Sequence, residues 1–114
     1  MGFVLKQSSD YVWPVTVELP TDGGRFSKHT FDAKFQRLPQ KRINTIMEQI
    51  RVNEIDDDTL CREVLIGWTG IKDDNDEEIP FSESSLNVVL NVQAVAAAVV
   101  SAWFESLAKG KRKN

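Results

Sequence analysis

The feature that most constrains this chain is a long apolar stretch near its end, residues 91–109. Val95, Val99 and Trp103 recur there at helical spacing, and Phe104 lies on a second apolar stripe beside them. In its first half almost no face of this helix is polar, so either the rest of the chain or another molecule must cover it. The spacing therefore predicts a helix over 91–109, and these four residues are the predicted partner-binding side chains.

The size and composition of the chain predict one domain. It has 114 residues, of which 41% are hydrophobic and 27% charged, enough for a core of its own. The predicted regions are a β-hairpin region at 1–38, a helical region at 39–109 and a basic tail at 110–114.

The charge pattern argues against nucleic acid as the partner. The net charge is −3, so there is no global basic field. Residues 1–55 hold 8 Lys/Arg against 6 Asp/Glu, whereas residues 56–114 hold 6 against 11. Such a two-sided distribution suits a protein that docks on other proteins, although an ordinary solvated surface explains the same pattern.

Alternating apolar residues predict the hairpin. Trp13, Val15, Val17 and Leu19 fall on one face of a first strand, and Pro14 within it requires an open edge. The turn is predicted at 20–24, which contains Asp-Gly-Gly.

The second strand is predicted to carry Phe31, Ala33 and Phe35 on one face. Phe26 is out of phase with them, so we expect it to belong to the turn or to precede a bulge. Residues 3–5 are expected to be either a short third strand or a tail that pairs with one.

About four helices are predicted to pack on the hairpin, which makes the fold class α+β. The first begins at Pro39, the second is capped at 56–58 and ends at Gly67, and the third begins at Ser82. Asn91 is the predicted joint between the third helix and the long apolar one. The stretch 88–104 is too short and too polar at three positions to be expected to span a membrane.

The sequence contains no recognisable catalytic set, so we expect no enzyme activity, no cofactor and no metal. The only cysteine, Cys61, lies among apolar residues and is predicted to be buried, and the only histidine, His29, is predicted to be exposed on a strand. The acidic loop 73–78 lacks the glycine and glutamate positions of a calcium loop in either register that we tested. A single cysteine is consistent with a reducing cytoplasm.

Several motifs in this order resemble the small tail assembly chaperones of long-tailed bacteriophages and prophages. They are residues 13–17 (WPVTV), 20–24 (PTDGG), 31–38 (FDAKFQRL), Gly67-Trp68, and 79–82 (IPFS) after an acidic loop. The likeness covers nearly the whole chain, and its motifs are structural rather than catalytic. One departure is the pair Glu77-Glu78, where a glycine turn would be expected.

The resemblance implies a non-catalytic protein of the bacterial host cytoplasm that is absent from the mature virion. It implies binding to the tape measure protein and recruitment of the major tail tube protein. The stripe of Val95, Val99 and Trp103, or its neighbour, is expected to form either the groove for that partner or a face for self-association as a homo-oligomer. Many members of this family are made in two forms, the longer one by a programmed frameshift, and the Lys/Arg-rich end of this chain would correspond to the end of the short form. Another structural part of a phage, such as a tail-completion or head–tail connector protein, is the alternative.

Overall fold

The chain begins its folded part with a long antiparallel hairpin. The computed structural model describes residues 2–108 and has β1 at Asp10–Thr21 and β2 at Arg25–Gln36. A three-residue turn joins them, in which Gly23 and Gly24 have φ values of 79° and 75°. Positive φ is the region that glycine enters without a steric penalty, so the predicted turn is confirmed at this position.

The two faces of the hairpin follow the predicted alternation. Val15, Val17, Phe31, Ala33 and Phe35 are buried on one face, and the residues that alternate between them on each strand are exposed. The strand order is β1-β2-β3, so β1 is an edge strand with the open side that Pro14 requires.

The expectation for Phe26 was wrong. Phe26 lies within β2 opposite Pro20, and the register between β1 and β2 is continuous along the whole hairpin. Its side chain points away from the core and is 64% exposed. A strand with a period of two places residues 26 and 31 on opposite faces, so no bulge is needed between them.

The third strand is not the predicted one. It is β3, Leu65–Thr69, which pairs antiparallel with β2, whereas residues 3–5 form no strand. The helix predicted to continue to Gly67 is α2, and it ends at Val64. Leu65 lies opposite Phe35, so pairing with the hairpin overrides the helical pattern at this point.

The first two helices begin within one residue of their predicted starts. α1 spans Gln40–Arg51 directly after Pro39, and α2 spans Asp57–Val64. The side chain of Asp56 accepts a hydrogen bond from the Thr59 backbone N–H at 2.8 Å. This bond satisfies one of the free amides at the start of α2.

The last two helices are α3 at Glu83–Leu90 and α4 at Val95–Leu107. Ser82 caps α3 through the Ser85 N–H at 3.1 Å, as predicted, while α4 is shorter than the predicted 91–109. α4 packs on β1 and on α2, and the main core lies between them. The α+β class with four helices is therefore confirmed, and the predicted basic tail at 110–114 lies outside the described residues.

Candidate interaction surface

The predicted partner-binding stripe on α4 lies inside the molecule. Val95, Val99 and Trp103 are 6%, 0% and 1% exposed, and Phe104 is half-buried against Trp103. The prediction of these residues as an accessible interaction surface needs correction, because the inner face of the hairpin and α2 cover them. Of the two covers considered for the apolar stretch, the rest of the chain is the one observed.

An uncovered apolar surface is found at the far end of the hairpin, on its inner face. It is an open groove of about 600 Å³ between the hairpin, the segment after β3 and the joint between α3 and α4. We call it the distal groove. Its apolar lining consists of Val17, Leu19, Phe31, Ile71, Val89, Val92 and Val95. Val92 is the exposed member, Leu19 and Ile71 are half-buried, and the other four, Val95 among them, are buried.

The joint between α3 and α4 forms one wall of the distal groove. Residues 91–94 make a turn in which the Val92 N–H donates to the Val89 carbonyl at 3.1 Å. Ala94 has a φ of 73°, and the two helices are bent by 101°. The bend leaves the side chain of Val92 44% exposed at the groove.

The opposite wall is the backbone of residues 70–72. Gly70 has a φ of 94°, a backbone conformation that L side chains rarely adopt, so glycine allows the chain to turn here after β3. The Gly70 N–H donates to the Glu78 carboxylate at 2.6 Å, and the Ile79 N–H donates to the Ile71 carbonyl at 2.7 Å. These bonds fix Ile71 in the groove wall.

The rim of the distal groove carries positive charge, and an acidic loop leaves from it. Lys28, His29 and Lys72 line the rim, and Lys72 lies 3.8 Å from the Asp76 carboxylate. The loop 73–78 is closed by Asp73, whose Oδ1 accepts hydrogen bonds from the backbone N–H groups of residues 75 and 77. Among residues 2–108, no group of three or more His, Cys, Asp or Glu side chains is placed to hold a metal ion.

Positive φ in the acidic loop is taken by Asp76, at 65°. The family resemblance led us to expect a glycine turn just before Ile79, where this chain has Glu77-Glu78 instead. The residue with positive φ is Asp76, one position before that pair. Aspartate tolerates this region better than most side chains, so the loop closes without glycine.

The two side chains considered for nucleophilic chemistry lie in unrelated places. Cys61 is fully buried, as predicted, and its Sγ lies 3.4 Å from the Ala96 carbonyl oxygen. Burial raises the pKa of the Cys61 thiol to about 12, and the nearby carboxylates of Asp57 and Asp58 act in the same direction. His29 is exposed on β2, with its Nε2 2.9 Å from the Ser27 hydroxyl.

Sequence reasoning missed the distal groove because its residues come from four separate segments. The available signal was the run Asn91-Val92-Gln93, where two amides interrupt the apolar stretch and expose the valine between them. Within residues 2–108, no single helix is long and apolar enough to cross a membrane, although the bent pair α3 and α4 together meets that test of length and composition.

The fold places the chain in the α+β class, with a three-stranded antiparallel sheet and four helices among its described residues. No known protein family, curated protein or solved structure matches the chain. Its function is therefore argued from its own residues and from the sequence motifs described above.

Proposed function

We propose that this chain is a tail assembly chaperone of a long-tailed bacteriophage or prophage, acting by binding and without catalysis. Its partners in this proposal are the tape measure protein, which it keeps in solution, and the major tail tube protein, which it recruits. The sequence motifs in the hairpin, around Gly67-Trp68 and at 79–82 support this class of protein.

The observation that carries the proposal is the distal groove. Its floor is apolar, its walls are held by backbone hydrogen bonds, and its valine at the joint is exposed. An open apolar groove receives the apolar face of an amphipathic helix, which is a recurring mode of protein recognition. A long helical tape measure protein offers such faces repeatedly along its length.

The test is co-expression with the cognate tape measure protein, using one variant in the distal groove and one matched control. Val92→Asp places a carboxylate in the distal groove. The control, Val52→Asp, places a carboxylate outside the groove at a valine that also follows a helix and is 41% exposed. We expect the tape measure protein to stay soluble with the wild type and with Val52→Asp, and to precipitate with Val92→Asp. The cost of burying an unpaired carboxylate in an apolar contact is the physical reason.

Each other outcome has a definite meaning. If the tape measure protein precipitates as much with the wild type as without it, the chaperone function is wrong. If Val92→Asp protects it as well as the wild type does, the distal groove is not the binding site. Detection of the chain in purified particles at a fixed stoichiometry would favour a tail-completion or head–tail connector protein instead.

A further inference from the structure

The sheet has an unpaired edge at the distal groove. β3 pairs with β2 only over residues 32–35, whereas β2 itself begins at Arg25. Among residues 2–108, the part of β2 at 25–31 therefore has β1 on one side and no strand on the other. Four consecutive residues of this part, 28–31, line the distal groove. Their side chains alternate between the two faces of the sheet, so the groove follows the edge of the strand.

Two prolines in β1 show which backbone groups point to this edge. In an antiparallel pair, residues that exchange both hydrogen bonds alternate with residues whose N–H and C=O groups point away from the partner strand. Proline has no N–H, so Pro14 and Pro20 belong to the second kind, and so do the residues opposite them, Asp32 and Phe26. The pairing of Asp32 with Thr69 of β3 agrees with this assignment.

The same alternation leaves backbone groups of β2 available at the groove. Lys28 and Thr30 have the parity of Phe26 and Asp32, so their N–H and C=O groups point out of the hairpin where both residues line the groove. Within residues 2–108, no hydrogen bond from another strand or loop reaches those groups. Positions 28 and 30 lie about 7 Å apart, which is the spacing at which an added antiparallel strand forms its hydrogen bonds.

The other edge of the hairpin lacks this capacity. Pro14 and Pro20 remove two of the N–H groups that would point out from β1, and prolines on an edge strand hinder the addition of a further strand. Residues 25–31 contain no proline. The edge that can be extended is thus the one beside the apolar floor of the distal groove.

The position of the groove defines the chemistry of the strand that it would accept. Side chains opposite Lys28 and Thr30 would lie on the outer, solvent-exposed face of the sheet, where an acidic residue meets the Lys28 ammonium group. Side chains between them would point inward, to the apolar lining at Val89 and Val92. The ligand is therefore an extended segment in which apolar residues alternate with polar and acidic ones.

We propose that the distal groove binds an extended segment of a partner protein as an additional antiparallel strand on β2, in line with β3. Strand addition is a recurring mode of recognition, in which backbone hydrogen bonds give affinity and alternate side chains give selectivity. The inference rests on the distal groove of the proposed function and adds a second class of ligand to it. A bound strand and the tape measure helix would exclude each other from a groove of about 600 Å³.

The first experiment titrates the full chain with a synthetic peptide in which valine alternates with threonine and glutamate. Calorimetry measures binding, and nuclear magnetic resonance measures the exchange of backbone amides. We expect the peptide to bind and to slow the exchange of the Lys28 and Thr30 amides. N-methylation of its threonine and glutamate amides should abolish binding, because these amides face β2 in an antiparallel strand. N-methylation of its valine amides, which point away from β2, should leave binding intact.

Thr30→Pro tests the same contact from the side of the protein, and Thr16→Pro is its matched control. The two threonines lie opposite each other with their hydroxyls 3.2 Å apart, so either substitution breaks the same side-chain pair. Each removes an N–H that points away from the other strand of the hairpin, but only Thr30 lines the groove. We expect Thr30→Pro to weaken peptide binding roughly tenfold and Thr16→Pro to bind as the wild type does.

No peptide binding to the wild type, equal binding of the two methylated peptides, or unchanged exchange of the Lys28 and Thr30 amides would each overturn the proposal. Protection of those amides that grows with protein concentration without peptide would place a second copy on the edge and would overturn it as well. Circular dichroism verifies that each variant is folded, and if Thr30→Pro is not, the methylated peptides decide the question on the wild type.

This experiment and the tape measure experiment can fail separately. A wild type that binds the strand peptide but leaves the tape measure protein insoluble would refute the chaperone function and leave strand addition standing. A wild type that protects the tape measure protein but does not bind the peptide would refute strand addition alone.

Discussion

Ala94 has an unusual backbone at the point where the chain enters α4. Its φ of 73° lies in the left-handed region, and its side chain is only a methyl group, which offers no polar compensation. The left-handed conformation costs an L-residue roughly 1–2 kcal/mol. The turn that exposes Val92 to the distal groove is therefore built with stored strain.

Replacing Ala94 with glycine should remove that strain. Glycine adds freedom to the unfolded chain worth about 0.4–1 kcal/mol, so we expect the stability of Ala94→Gly to be unchanged or to rise by up to about 1.5 kcal/mol. The midpoint of urea unfolding measures this. Ala97→Gly is the matched control, because Ala97 is an exposed alanine in the first turn of α4 and should lose about 0.5–1 kcal/mol. Equal losses in both variants would contradict a left-handed backbone at residue 94.

At the residue scale, the sequence predicts features that depend only on neighbouring residues, such as helix caps and turns. The caps Asp56 and Ser82 and the turn glycines were predictable because each acts on backbone groups within a few residues. The burial of Cys61 followed from its apolar neighbours. The left-handed Ala94 was not predictable, because alanine has no preference for that region and only the packing of α3 against α4 imposes it.

At the scale of elements, α1 is fastened to the rest of the molecule by few contacts. Ile46 is its only fully buried side chain, and Arg42 bonds both carboxylate oxygens of Glu63 in α2, at 2.6 and 2.7 Å. The hydrogen bond from Arg42 lowers the pKa of the Glu63 carboxyl below its ordinary value of 4.5. This bidentate ion pair links α1 and α2 at the protein surface.

Glu63→Gln should reduce stability at neutral pH and change its dependence on pH. A carboxyl whose pKa is lower in the folded state contributes stability that is complete above the ordinary pKa and is lost as the pH falls through the folded pKa. We therefore expect the difference between wild type and variant to be largest near pH 7 and to shrink below about pH 4.5. Because the pair is partly exposed, the difference is small, and urea midpoints at several pH values measure it.

Glu105→Gln controls for the loss of one negative charge. Glu105 is exposed on α4 and has no ion pair within residues 2–108. Its substitution removes one negative charge without breaking a described ion pair, so it measures how much of any change comes from the loss of charge alone. A Glu63→Gln difference that stays constant or grows on acidification would contradict the linkage between the Arg42 contact and the ionisation of Glu63.

The sequence predicted the elements whose apolar residues recur regularly, but it did not predict the boundary between α2 and β3. The hairpin was predictable because alternation and a glycine turn agree. The stretch 60–69 carries apolar residues that fit both a helix and a short strand, and only the presence of β2 beside Leu65 decides where α2 ends. The segment 3–5 has the composition of a strand but pairs with no strand among residues 2–108.

At the scale of the whole molecule, the sequence predicted that the apolar stretch needs a cover but not which cover it has. The inner face of the hairpin and α2 take that role, and this removes Val95, Val99 and Trp103 from the surface. The distal groove is assembled from segments far apart in the chain, so no local sequence pattern predicts it. Its existence depends on the angle between α3 and α4, which is a property of the packed molecule.

The same packing predicts that the chain unfolds as one unit. A hairpin alone is marginal in water, and the inner face of this one is buried by a helix near the other end of the chain. Trp13, Trp68 and Trp103 lie in β1, β3 and α4, so their fluorescence reports the sheet and its cover together. We expect urea transitions followed by this fluorescence and by the helical circular dichroism signal to coincide, as they do for a small two-state domain.

A fragment of residues 10–38 sharpens the prediction. Without α4, its buried face of Val15, Val17, Phe31 and Phe35 would be exposed, and we expect its circular dichroism to be that of an unfolded chain. A folded fragment, or a helical signal in the full chain that is lost at lower urea than the fluorescence, would divide the molecule into two units. Coincident transitions and an unfolded fragment would instead mean that the sheet and the helices share one core, because the hairpin is then stable only when the elements after residue 38 cover its inner face.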